Sequence, residues 1–314
     1  MDALLRFVLD PAVVPPAVDE LRAWWDASAV QRAGWTAPFD RALAGGACAD
    51  RLGFAFANGY AEALRALVPD LAAGSISALC ASEEGGAHPR AIRTRLVETA
   101  PGRYELTGRK KWGTIASAAS TLLVVASVGE AAGQNRLRVI RVRADAPGVR
   151  LSPTTTAFVP EIPHAEVELA GVAVTAAEVL PGDGYDAYLK PFRTIEDIYV
   201  NGAIAGYLIG VARRYAMPRE LRERLIATAV IAHSIASADP RAVTTHAALA
   251  GMLDLLQRSV AEIEPLWAAA NDAEWARWQR DRSLFRVAGA ARAARRERAW
   301  AILDGGASSG SANG

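Results

Sequence analysis

Residues 80–127 constrain this chain most, because turn residues and β-branched runs alternate there at the spacing of short strands. A polar loop, Ser82-Glu83-Glu84-Gly85, follows a short apolar run. Val97-Glu98-Thr99 and Tyr104-Glu105-Leu106 flank Ala100-Pro101-Gly102, which reads as a hairpin whose turn is set by proline and glycine. Gly108 reads as a further turn. The basic and aromatic segment Lys110-Lys111-Trp112-Gly113-Thr114 then leads to residues 121–126, a β-branched run short enough to be a buried strand.

The flanks differ. Residues 1–74 are rich in Ala, Leu and Arg and predict a helical domain. Pro15-Pro16 is expected to open a helix that continues through Trp24 and Trp25, since proline is tolerated in a first turn. A second helix is expected over 58–67, and Trp24, Trp25 and Trp35 are expected in the core. Residues 75–184 predict a β domain, in which 136–143 alternates so that one strand face is apolar and the other carries four arginines, read as a solvated face. Residues 185–303 predict a helical bundle punctuated by prolines, with helices over 191–216, 219–237, 241–270 and 272–303. Gly202, Gly206 and Gly210 recur every four residues and so share the helix face where a neighbour packs closely. The arginines at 286, 292, 295, 296 and 298 read as a solvated helix face, and 304–314 as a disordered tail.

Composition excludes several classes. Thirty-five basic against 34 acidic residues leave a net charge of +1, which is no electrostatic footprint for nucleic acid. No apolar run approaches the ~20 residues that span a bilayer, and the N-terminus lacks a basic start, so a cytoplasmic protein is expected. Cys48 and Cys80 offer no disulfide framework, and His88, His164, His233 and His246 fall at no metal-ligand spacing, so no metal is expected.

The order of the motifs between 80 and 127 resembles the middle domain of the acyl-CoA dehydrogenases. Ser82-Glu83-Glu84-Gly85 stands where that family has Thr/Ser-Glu-Pro-Gly, and Lys110-Lys111-Trp112-Gly113-Thr114 where it has Lys-x-Trp-Ile-Thr/Ser. Pro147-Gly148-Val149, Val167-Glu168-Leu169, Val172-Ala173-Val174 and Glu178-Val179-Leu180 follow in the family's order. The resemblance implies an α+β fold of three parts: an N-terminal helical domain, a middle antiparallel β domain and a C-terminal helical bundle. It implies FAD as cofactor, with Ser82 and Thr114 hydrogen-bonding the isoalloxazine ring and Trp112 packing against it. Read without the resemblance, Trp112 is a core aromatic, and Ser82 and Thr114 are turn residues.

The resemblance further implies α,β-desaturation of an acyl thioester, which needs a carboxylate base in a dry pocket. One of the family's two positions for it is empty, since 282–296 holds no acid. The other is Glu196, ten residues before Gly206. The competing reading makes Glu196 a first-turn carboxylate favoured by the helix dipole. Asp197 stands where the family has arginine and is expected to point about 100° away from Glu196. His88-Pro89 replaces Gly-Ser-Asp, and Arg214-Tyr215 replaces the family's diphosphate-binding Arg-x-Phe-Gly, so the grip on the adenine end is expected to be weak. A homodimer or homotetramer, with an electron-transfer flavoprotein or another acceptor, is what the family implies. A non-catalytic subunit and a flavin monooxygenase are the alternatives.

Overall fold

Helices occupy both ends of the chain and strands its middle. A computed structural model describes residues 1–308, so 309–314 of the expected tail lie outside the described residues. The first helices are α1 (Asp2–Leu9), α2 (Leu21–Ala27), α3 (Ala29–Ala33), α4 (Pro38–Ala47) and α5 (Leu52–Leu67). Pro15 and Pro16 do not open a helix: Pro16 disfavours the α region at the residue before it, and helix begins only at Leu21. α5 starts at Leu52 rather than near 58, because Leu52, Phe54 and Ala55 already bury their side chains. Trp24 and Trp25 are core residues, whereas Trp35 is half-buried against Phe7.

The middle forms one sheet from β1 (Ser77–Cys80), β2 (Arg95–Ala100), β3 (Arg103–Gly113), β4 (Thr121–Ala131), β5 (Gln134–Arg143), β6 (Val149–Thr154) and β7 (His164–Thr175). The order is β1-β4-β2-β3-β7-β6, with β5 also on β4. Pairing is antiparallel except that β1 runs parallel to β4, and β2 meets β4 in a parallel bridge at Arg95 and Ser127.

Two strand readings need correcting. Gly108 is not a turn but lies inside β3, where the register with β7 shifts. A side chain there would meet Thr94, since a Cβ would lie 2.6 Å from the Thr94 Cα, so the bulge needs glycine. The arginines of β5 do not share a face either. Strand period is two, so Arg136 and Arg138 lie on one face and Arg141 and Arg143 on the other. Arg141 pairs with Asp70 and Arg143 with Asp145.

A π-helical turn, Gly184–Leu189, leads into α6 (Lys190–Arg214), with Pro191 tolerated in its first turn. Then come α7 (Arg219–Ala236), α8 (Val243–Ala268), α9 (Ala273–Asp281) and α10 (Gly289–Ser308). α6 is buried almost all round, and its glycines explain how. A Cβ at Gly206 would lie 2.3 Å from the Leu43 carbonyl oxygen, and one at Gly202 2.6 Å from the Phe39 ring, so α4 crosses α6 at backbone contact.

The single helix expected over 272–303 is broken by a short 3-10 segment, Arg282–Arg286. Asp281 turns inward there to accept the Val159 N–H at 2.7 Å, and Arg280 pairs with Glu161 at 2.8 Å, pinning the chain to the loop between β6 and β7. α10 then runs on through 304–308, which were expected to be disordered.

Candidate functional site

Glu196 lies in the second turn of α6, past the turn where a helix dipole acts, so the dipole reading of this residue fails. Its carboxyl borders a cavity of about 240 Å³ lined by Phe56 of α5, Thr114, Phe158 and His164 of the β domain, and Phe285 and Arg292 of the last segment. Burial pushes the Glu196 carboxyl up to about 7; neighbouring Asp197 adds to this and Arg292 opposes it. A carboxyl so placed can carry a proton or surrender one near neutral pH, as a general base requires.

Asp197 does not point away into solvent. It borders the same cavity and is buried, its carboxylate held by Arg292 at 2.7 Å and by Arg295. Those two arginines are therefore not part of a solvated face. The positive charge expected at 197 comes instead from α10, reached across 95 residues of sequence.

The β-domain wall is built by a buried ion pair. Lys110 is fully buried, and its ammonium donates to Glu83 at 2.6 Å and to the Ala81 carbonyl at 3.3 Å. Glu83 also accepts from the Arg93 and Thr94 amides and the Thr94 hydroxyl. Burial alone would raise the Glu83 carboxyl; Lys110 and these donors hold it below its ordinary value. The Lys111 N–H donates to the Ser82 carbonyl at 2.9 Å, so the Ser82 loop and the end of β3 are tied side by side.

Trp112 follows at once, with φ 61° and 61% exposure. It is not the core aromatic of the alternative reading. The indole N–H of Trp112 and the hydroxyls of Ser82 and Thr114 have no hydrogen-bond partner among the described residues. Exposed aromatic surface and unpaired donors on one tied pair of segments are what a planar heteroaromatic ring would cover, so these residues fit a flavin. Thr114 reaches the Glu196 cavity, whereas Ser82 and Trp112 are not among its lining residues.

A second cavity, of about 840 Å³, opens beside the same segments. It is lined by Glu83, Glu84, His88, Arg90, Arg93, Arg109 and Lys111, among others. Arg90, Arg93 and Arg109 have no ion pair among the described residues. Since Lys110 neutralises Glu83, the cavity is basic. Sequence reasoning missed this cluster because its arginines are scattered over a 3-10 turn, a loop and one strand. It weighed Arg214 instead, which is occupied by Glu274, while Arg213 grips carbonyls of residues 8, 10 and 13. His164 was missed too, because histidines carry a sequence signal only at metal spacing. Among the described residues no cluster is placed to hold a metal ion, and no helix is long and apolar enough to cross a membrane.

Comparison with known proteins accounts for this architecture. The family model for the acyl-CoA dehydrogenase middle domain matches residues 78–172. No curated protein matches the sequence. Among solved structures, the chain is similar to butyryl-CoA dehydrogenase from Megasphaera elsdenii, with a TM-score of 0.65 and 14% identity over 91% of this chain and 93% of that one. It is also similar to FMN-bound TdsC from Paenibacillus sp. A11-2, with a TM-score of 0.63 and 17% identity over 89% of each chain. The prolyl acyl carrier protein oxidase AnaB gives a TM-score of 0.58 and 16% identity over 90% of this chain and 88% of that one. The whole chain thus carries the acyl-CoA dehydrogenase fold, and its residues 78–172 match that family's middle domain.

Proposed function

We propose that this protein is a flavin-dependent oxidoreductase that desaturates an acyl thioester, with Glu196 as the base. The observation that carries the reading is that one cavity joins Glu196, whose carboxyl is poised near neutrality, to Thr114. The flavin supplies a hydride acceptor. Ser82 and Thr114 hydrogen-bond its ring, Trp112 covers a face, and the basic cavity takes its phosphate groups, for which Arg90, Arg93 and Arg109 are free. The larger volume of that cavity favours FAD. Phe56, Phe158 and Phe285 keep water from the acyl chain while Glu196 receives the α-proton.

Two buried free cysteines fit a reducing compartment, and we place the protein in the cytoplasm. It works as a homodimer or homotetramer, passing electrons to an electron-transfer flavoprotein or another acceptor. The test is absorbance: purified protein incubated with FAD and then desalted should retain the flavin bands in the blue and near ultraviolet. A protein that stays colourless with both FAD and FMN would make the chain a non-catalytic partner. Oxygen consumption with reduced flavin would mark a monooxygenase, the chemistry to consider because an FMN-bound structure lies among the similar ones.

A further inference from the structure

His164 is the first residue of β7, and Thr114 opens the turn just past the end of β3, where Gly113 and Ala165 are the last pair of the ladder. Both line the Glu196 cavity. The His164 backbone is fixed, its N–H donating to the Ile162 carbonyl at 2.9 Å and its carbonyl accepting from the Ser117 hydroxyl at 3.1 Å. Its Nδ1 is buried and has no partner. Thr154, opposite it in the β6–β7 register, likewise has a buried hydroxyl without a partner.

Burial lowers the imidazole's affinity for a proton below the ordinary value, and no charged group reverses it, although Glu196, Asp197 and Arg292 border the same cavity. The ring is therefore neutral at pH 7 and carries one proton. A buried N–H without an acceptor is costlier than a buried lone pair without a donor, so the proton belongs on Nε2. With Nδ1 sealed in the protein, Nε2 is the nitrogen left to meet the cavity.

We propose that His164 donates a hydrogen bond through Nε2–H to the flavin ring, beside Thr114, and so raises the cofactor's reduction potential. This rests on the flavin reading above. A donor at the ring stabilises the electron-richer reduced form more than the oxidised form, which makes the flavin a better hydride acceptor.

Two measurements test it. In the cofactor-free protein, nitrogen-15 NMR of labelled histidine should find His164 as the neutral Nε2–H tautomer at pH 7, titrating below 6.5; a proton on Nδ1 overturns the proposal. In the FAD-loaded protein, His164→Leu should shift the oxidised/reduced equilibrium toward oxidised by about tenfold, equivalent to about 30 mV for a two-electron couple. His164→Gln, which keeps an N–H donor, should recover most of that shift. An unchanged potential in folded, flavin-loaded His164→Leu overturns the proposal and leaves the flavin reading standing. A wild type that takes up no flavin removes both.

Discussion

The carboxylate of Asp197 sits 2.7 Å from the guanidinium of Arg292, and this contact sets the field felt by the adjacent Glu196. In Asp197→Asn the like charge beside Glu196 is gone and Arg292 is no longer compensated. Both changes favour ionised Glu196, so the pH midpoint of flavin reduction should move below its wild-type position near 7. At pH 8 the rate should change by less than about tenfold, because Glu196 itself is intact. The protein should also lose stability on the order of 3 kcal/mol by denaturant titration, since Arg292 and Arg295 lose their buried partner.

The elevated Glu196 pKa has a consequence for folding. Its carboxyl titrates at 4.5 in the unfolded chain and about 7 in the folded one, so between those values the folded state holds more protons. Stability contributed by this group is then lost as pH rises from about 4.5 to about 7. Glu196→Gln removes that dependence. Urea midpoints of the two proteins should nearly coincide at pH 4.5, diverge in favour of the glutamine variant up to pH 7, and run parallel above it.

Trp112 is exposed and its backbone is left-handed. Trp112→Ala should leave the unfolding free energy of the cofactor-free protein nearly unchanged, within about 0.5 kcal/mol by urea titration, as surface changes do. The same variant should lose most of its flavin affinity. Trp112→Gly should be the more stable of the two without cofactor, because glycine adopts positive φ without strain.

The Lys110–Glu83 pair lies where the Ser82 loop meets the end of β3. Lys110→Met leaves Glu83 buried without its counter-charge and should cost about 3–5 kcal/mol. The loss should show as a lower urea midpoint and weaker flavin binding together, since the pair ties the Ser82 loop to β3.

Fold was legible here because it depends on local signals. The turn at Pro101-Gly102, the run 121–126, and the glycines at 202, 206 and 210 each stand in the structure where their chemistry required. Gly108 was misread because a bulge and a turn make the same demand on a residue. The last helix was misread because what breaks it, Asp281 reaching the Val159 amide, spans 122 residues. Of the candidate site, the sequence marks single segments, such as the one that carries Trp112 and Thr114. Arg292 on Asp197 and His164 beside Thr114 depend on helix crossing and strand register, which periodicity does not encode.

The central claim is that Glu196 removes the α-proton of an acyl thioester held against the flavin. Anaerobic single-turnover reduction of bound flavin by a panel of acyl thioesters, followed by absorbance at pH 8, tests it directly. Wild type should be bleached by its cognate thioester, and Glu196→Gln, with flavin bound and fold intact, should be slower by ~10²–10⁴-fold. Equal rates for the two proteins would contradict the account.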